Sequence, residues 1–189
     1  KPDGKEFLLG SVLLTTSGST GTPKQVFLSA KNLYESYLTG VRILQLNSQD
    51  HWTLLLPPYH IGGLMVFVRA LLSGSLFSIA EPGRLTSGEA VRKFDPTHIS
   101  VVTPFLQQFH ESQTAANPSH RCALAGGGRI DPNLIASVTA LGWNIWSSYG
   151  ATETAAFIAA LPPEMSKMKP GAAGRLIPPV QGSIAGYDT

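Results

Sequence analysis

The stretch HWTLLLPPYHIGGLMVFVRALLSGSLFSIA, from His51 to Ala80, holds the fold in miniature. His51–Leu56 is a short apolar run of strand type, Pro57 to Gly62 interrupts it, Gly63–Leu72 carries apolar residues at helical spacing, and Ser75–Ala80 is strand-like again. A strand, a helix and a strand within about 30 residues make a βαβ unit. The same alternation extends in both directions. Before it, strands are expected at Ser11–Thr15 and Val26–Leu28 and a helix at Ala30–Leu46. After it, helices at Thr86–Phe94, Pro104–Gln113 and Pro132–Leu141 alternate with strands at Thr97–Val102, Cys122–Ala125 and Asn144–Ser147. Ser29 is placed to cap the first helix, where Leu33, Tyr34, Tyr37, Leu38, Val41 and Leu44 share a face and Gly40 weakens the helix slightly. Asp131, Pro132 and Gly142 punctuate the last helix in the favoured order of cap, first position and stop. The order predicts an α/β fold, a mostly parallel sheet flanked by helices, with ligands outside the carboxyl ends of the strands. Met165–Gly174, with Lys167, Lys169 and Pro170, is expected to be a surface loop or a boundary.

Composition narrows the function classes. The 189 residues suit one compact domain. Charged residues make up only 14% of them, against a usual share of about 25%, so part of the surface is expected to be covered by something else. The 19 glycines and 14 prolines cluster between apolar runs, which excludes collagen and generic disorder. Fourteen basic against twelve acidic residues leave a net charge of +2 without a dense basic stretch, so nucleic acid is not favoured. One cysteine, Cys122, excludes an internal disulfide and a thiolate-rich zinc site, and fits a reducing, cytoplasmic setting. The histidines His51, His60, His98, His110 and His120 have no metal-like spacing. The longest apolar stretch, Ile61 to Leu72, contains Arg69 and falls short of the ~20 residues that span a bilayer. The opening residues, Lys1 to Glu6, resemble no signal peptide and lack an initiator Met, so the chain is expected to begin partway into a gene product. Homo-oligomerisation is left open.

Four segments could carry chemistry, and each follows an expected strand. Thr15-Thr16-Ser17-Gly18-Ser19-Thr20-Gly21-Thr22-Pro23-Lys24 combines two glycines, several hydroxyls and a terminal cation, a donor set suited to polyphosphate. It is not a Walker loop, because Pro23 precedes Lys24 and Gln25 follows it. Pro57 to Gly63 places His60 where it could meet a carboxylate or merely cap the next helix. Gly126-Gly127-Gly128 offers a surface without side chains for a flat ring, or simply a tight turn. Ser147-Ser148-Tyr149-Gly150-Ala151-Thr152-Glu153 offers an aromatic face, hydroxyls and a carboxylate suited to Mg²⁺, or a solvated turn.

Taken in order, these four segments followed by Gly174-Arg175-Leu176-Ile177-Pro178 resemble the adenylate-forming superfamily of acyl- and aryl-CoA synthetases, luciferases and peptide-synthetase adenylation domains. The resemblance runs from about Leu14 to Pro178. Within the superfamily, the Pro-Pro-Tyr-His-Ile-Gly-Gly loop and the three glycines look most like the o-succinylbenzoate–CoA ligases of menaquinone biosynthesis. The resemblance implies that residues 1–178 are the central part of an AMP-binding domain, that 179–189 begin the next subdomain, and that the C-terminal domain is absent. It further implies ATP, Mg²⁺ and coenzyme A as co-substrates and cofactors, with a small carboxylic acid as the partner that is activated. Its nucleotide-binding set is Thr16, Ser17, Gly18, Ser19, Thr20, Gly21 and Lys24 at the phosphates, Gly126, Gly127, Gly128 and Tyr149 at adenine, and Ser148, Gly150 and Thr152 beside them. The catalytic set is Lys24, His60, Thr152 and Glu153, with Glu153 the metal ligand and His60 at the entry of the acid. Gln25 departs from the pattern, which usually has glycine there. The family's ribose-binding Asp and catalytic Lys are expected beyond Thr189. A module that loads a carrier-protein thiol and a nucleotide-binding fragment without full activity are the alternatives. A hydrolase is disfavoured because the chain has no Gly-x-Ser-x-Gly elbow.

Overall fold

The computed structural model describes residues 10–16, 23–81, 83–166 and 168–183. The chain opens with an antiparallel hairpin of β1 (Ser11–Thr16) and β2 (Lys24–Ser29), in which Leu14 faces Val26 and Thr16 faces Lys24. The first two expected strands therefore stay out of the parallel sheet. The reason is geometric, since a short connection can close only antiparallel neighbours and a parallel pair needs a crossover of a dozen or more residues. Alternation does the rest: Val12, Leu14, Val26 and Leu28 turn inward together. Helix α1 (Ala30–Leu44) starts at Ser29, whose hydroxyl accepts from the Asn32 amide at 3.2 Å while the Asn32 side chain accepts from the Ser29 amide at 2.9 Å.

The main sheet follows. Its strands are β3 (His51–Leu54), β4 (Leu76–Ile79), β5 (His98–Val101), β6 (Cys122–Ala125), β7 (Ile145–Ala151), β8 (Ala156–Leu161) and β9 (Arg175–Leu176), in the spatial order β4-β3-β5-β6-β7-β8-β9. The first five in that order run parallel, and β8 and β9 are antiparallel additions. Helices α2 (Ile61–Ser73), α3 (Ser87–Phe94), α4 (Thr103–Glu111) and α5 (Pro132–Ala140) make the crossovers, and short α6 (Pro163–Ser166) follows β8. Asp131 caps α5 by accepting from the Asn133 amide at 2.9 Å.

Period-two burial divides the core. On β6, Ala123 and Ala125 face a cluster with Leu106 and Phe109 of α4 and Ile135 and Val138 of α5. Cys122 and Leu124 face a second cluster with Leu44 of α1, Val66 and Ala70 of α2, and Phe157 of β8. Helices thus cover both faces, and a central strand buried on both sides reads as a continuous apolar run. Strand order fixes where a ligand crevice opens. From β3 the chain steps outward to β4, then returns to the other side of β3 and proceeds through β5, β6 and β7. The sense of winding reverses between β3 and β5, and crevices open at the carboxyl ends of such a switch point.

Candidate active site

A cavity of about 520 Å³ lies at that switch point. Leu56, Pro57, His60 and Gly62 border it from the segment after β3, Ser100 to Val102 from the end of β5 and the residue after it, Gly126 and Gly127 from the segment after β6, and Ser148, Gly150 and Thr152 from β7 and the turn that follows. Three of the four segments singled out in the sequence therefore meet around one space.

Each wall has a local cause. His60 occupies the N-cap position of α2 yet makes no capping bond with its side chain, and its ring lies against that of Tyr59 at 4.7 Å. The imidazole is thereby left at the cleft. Helix α2 can start this close to the loop only because Gly63 has no side chain, since a Cβ there would lie 2.2 Å from the Pro57 carbonyl oxygen. At the end of β6, Gly127 adopts a left-handed φ of +81°, and a Cβ on Gly126 would crowd the Ser148 hydroxyl at 2.8 Å. That hydroxyl donates to the Ala125 carbonyl at 2.9 Å, tying β7 to β6 at the cleft floor. Gly128 lies outside this cavity, where a Cβ would meet nothing within 4 Å.

The Ser-Tyr-Gly segment differs from its expected form. Tyr149, Gly150 and Ala151 continue β7 rather than leaving it as a loop, and a bulge between Tyr149 and Gly150 re-aims the strand. Pairing with β8 is the reason, because that partner supplies the hydrogen bonds a free loop would lack. A 3₁₀ turn, Thr152–Thr154, comes next. The Thr154 hydroxyl locks it, accepting from the Ala151 amide at 2.8 Å and lying 2.7 Å from the Ala156 carbonyl to which it donates. Ala155 and Ala156 then take positive φ values of 52° and 87°, a conformation that costs an alanine on the order of 1 kcal/mol or more. Two contacts hold it in place. Ser36 of α1 donates to the Ala155 carbonyl at 2.5 Å, and the Ala155 methyl sits among Leu14, Leu28, Leu33 and Leu64. The same apolar seat docks the hairpin through Leu14 and Leu28, which brings β2 beside the Thr152–Thr154 turn.

Ser17, Gly18, Ser19, Thr20, Gly21 and Thr22 lie outside the described residues. Lys24 and Glu153 are exposed and do not border the cavity, and the Tyr149 ring is likewise exposed. Among the described residues no group of three or more His, Cys, Asp or Glu side chains could hold a metal. A lone exposed carboxylate suits Mg²⁺, a cation that keeps several waters and takes its remaining ligands from substrate phosphates.

Arg69 was not among the expected site residues. It projects from α2, is 1% exposed and borders the cavity. Burial lowers its pKa to about 10, so it stays cationic at neutral pH. Among the described residues it forms no ion pair, and its Nε and one terminal nitrogen meet no acceptor. An unpaired buried ion costs several kcal/mol. Ser100, buried on β5 at the same cavity, also has a hydroxyl without a partner. The signal for Arg69 was a single cation inside the apolar run from Ile61 to Leu72.

Comparison with known proteins agrees with this architecture. The family model described as AMP-binding enzyme matches residues 11–189. The 2-succinylbenzoate–CoA ligase of Bacillus subtilis (strain 168) is 32% identical over 166 residues, which are 87% of this chain and 34% of that protein. Its counterpart in Geobacillus kaustophilus (strain HTA426) is 34% identical over 176 residues, 90% of this chain and 36% of that protein. Among solved structures, the o-succinylbenzoate coenzyme A synthetase (MenE) of Bacillus subtilis in complex with ATP and magnesium ion superposes with a TM-score of 0.80 at 32% identity, covering 87% of this chain and 35% of that one. The same enzyme in complex with the acyl-adenylate intermediate OSB-AMP gives the same score. This chain thus spans about a third of the length of the curated relatives it matches. With the family model matching nearly the whole chain, and with the glycine, hydroxyl and histidine segments gathered at one switch point, the chain belongs to the AMP-binding enzyme family.

Proposed function

We propose that this chain forms the central part of the adenylation domain of an ATP-dependent acid–CoA ligase, with o-succinylbenzoate as the acid. Residues 1–178 belong to that domain in this reading, and 179–189 begin the subdomain that follows. The observation that carries it is the cleft itself, in which His60, Gly126, Gly127, Ser148 and Thr152 surround one cavity with a buried, unpaired Arg69 beside it.

The reaction has two halves. The acid's carboxylate attacks the α-phosphorus of ATP and expels pyrophosphate, and the thiol of coenzyme A then displaces AMP to give a thioester. The difficulty of the first half is that an anion must approach a polyanion, so positioning and charge compensation dominate. Lys24 and the hydroxyl-rich segment before it, Thr16 to Thr22, hold the β- and γ-phosphates. Thr152 contacts the α-phosphate, and Glu153 holds Mg²⁺, which neutralises triphosphate charge when bound. Adenine lies between the Gly126–Gly128 segment and Tyr149. His60 stands where the acid's reacting carboxylate enters. Arg69, without a carboxylate of its own, suits an acid that bears a second anionic group, which favours an aromatic dicarboxylate over a fatty acid.

This reading places the protein in the cytoplasm with its nucleotide and thiol co-substrates. Among the described residues, no helix is long and apolar enough to cross a membrane. The test is acid-dependent pyrophosphate release by the full-length gene product, screened against o-succinylbenzoate, simple aryl acids and fatty acids. The expected result is release with o-succinylbenzoate at least about tenfold above the others, a preference of about 1.4 kcal/mol. Equal use of fatty acids would overturn the substrate, and no release with any acid would overturn the ligase.

A further inference from the structure

The surroundings of Arg69 are aromatic. Its Cζ lies 5.1 Å from the ring centroid of Phe157 on β8 and 5.7 Å from that of Trp52 on β3. Both distances fall within the reach of about 6 Å at which a ring face attracts a cation. Trp52 is held from behind: it is fully buried and stacks on His98 at 4.9 Å with 28° between the rings. His98 is in turn 2.8 Å from the Thr97 hydroxyl. On another side, Gly40 of α1 leaves only backbone, since a Cβ there would stand 3.4 Å from Arg69 Nε and 3.7 Å from its Cδ. The guanidinium is therefore confined by two aromatic rings and a bare helix turn, with no carboxylate among the described residues to neutralise it.

We propose that Trp52 and Phe157 are positioning residues for Arg69, two aromatic faces taking the place of a counter-ion so that the guanidinium charge stays available to an anionic group of the acid bound in the cleft. The proposal rests on the reading of this cleft as an acid-activating site. A carboxylate in place of either ring would hold Arg69 equally well but would cancel its charge, and an incoming anion would have to displace it. The ring quadrupole attracts the cation without carrying net charge. An aliphatic side chain would fill the volume yet leave a buried cation with nothing attracting it, and the arginine would swing away from the pocket. The lone buried cation and the two rings thus form one device.

The experiment uses the full-length protein. Trp52→Leu raises the KM for the acid by about tenfold, the loss of one desolvated cation–π contact, while kcat and the KM for ATP change by less than about threefold. Trp52→Tyr, which restores a π face, recovers most of the loss. On an Arg69→Met background, neither Trp52→Leu nor Phe157→Leu shifts the acid KM by more than about twofold, because residues acting through one another are not additive. Equal losses in both backgrounds, or a parallel rise in the KM for ATP, would reduce the rings to packing and overturn the proposal. A second measurement does not depend on turnover. In protein labelled at arginine, the Arg69 Nε–H resonance is identified by its loss in Arg69→Met, and ring currents displace it from the position of solvent-exposed arginines. Trp52→Leu and Phe157→Leu each move it back toward that position. A resonance that neither substitution moves overturns the proposal whatever the activity. A resonance that moves in a protein activating no acid upholds the stack and refutes the ligase reading alone.

Discussion

At Gly150 the chain passes so close to β8 that a Cβ would lie 1.9 Å from the Ala156 carbonyl oxygen and 2.6 Å from its carbon. Both are backbone atoms, so no rotamer change relieves the clash. Gly150→Ala must push β7 and β8 apart at the bulge beside the cleft, an overpacking cost of about 1–3 kcal/mol. At about 2–4 °C per kcal/mol for a domain of this size, a thermal melt of the variant should fall by several degrees, and a melt that does not move would mean that the strands part freely there. The exposed residues Lys24 and Glu153 behave in the opposite way. Lys24→Ala and Glu153→Gln touch no core, so they should leave the melt unchanged while slowing pyrophosphate release by about 10²-fold, the usual scale for removing one electrostatic contact to a reacting group. Raised Mg²⁺ should partly restore Glu153→Gln and do nothing for Lys24→Ala. Wild-type rates in both variants would move the phosphate end of the site elsewhere.

Among the elements, the Thr152–Thr154 turn depends most on distant support. Its two left-handed alanines are held by Ser36, 119 positions earlier in the chain, through the bond from Oγ to the Ala155 carbonyl. Ser36→Ala leaves a buried carbonyl without its donor, a loss of about 1–3 kcal/mol. The variant should melt a few degrees lower and show a raised KM for ATP, whereas an unchanged KM for ATP would show that α1 does not hold the turn. The same contrast between local and distant causes explains what could be read from the sequence. Helices α1 and α5 were legible because Ser29, Asp131 and Pro132 act within four residues of where they stand. The parallel core was legible because strands buried on both faces show as unbroken apolar runs such as Cys122–Ala125. The hairpin was missed although the short connection between its strands allows only antiparallel pairing, and the packing of Leu14 and Leu28 on Ala155, which seats it apart from the main sheet, shows only in the folded chain. Strand β8 was also missed: Ala156, Ala159 and Ala160 carry little β preference, and it is the exposed edge of β7 that makes a strand of them. In the site, His60, Gly126, Gly127, Ser148 and Thr152 could be found from their positions after strands. Arg69 showed in the sequence only as a single cation inside an apolar run, and the lack of a partner that makes it significant is revealed by the folded chain.

The whole molecule separates its chemistry by strand end. The cleft occupies the carboxyl ends, and the amino ends bury a polar group that never meets the cavity. There Asp50 accepts a hydrogen bond from Arg121 and another from the Asn47 amide at 2.8 Å. His98 Nδ1 stands 3.7 Å from an Asp50 oxygen, too far for a hydrogen bond, and the charge of Asp50 is already matched by Arg121. Burial, with Arg121 and Arg69 nearby, pushes the pKa of His98 down to about 3. Burial, with His98 nearby, pushes that of His120 down to about 4. His98 Nε2 meets no acceptor among the described residues, and at His120 burial outweighs the one favourable neighbour, the Pro96 backbone carbonyl. Both histidines are therefore neutral when folded, while in the unfolded chain each titrates near pH 6.5. Below that pH the unfolded state binds more protons, so stability is complete above about 6.5 and is lost as pH falls toward the folded values. The limiting slope is about 1.4 kcal/mol per pH unit for each histidine. Urea unfolding between pH 7.5 and 5.0 should show the midpoint dropping, with most of the change below 6.5. His120 lies edge-on to Trp143 at 4.7 Å between ring centroids, a seat that a phenylalanine can fill without titrating. His120→Phe should flatten the acid limb by up to one histidine's share and leave the alkaline plateau in place. An acid limb of unchanged slope in that variant would assign the pH dependence to carboxylates instead.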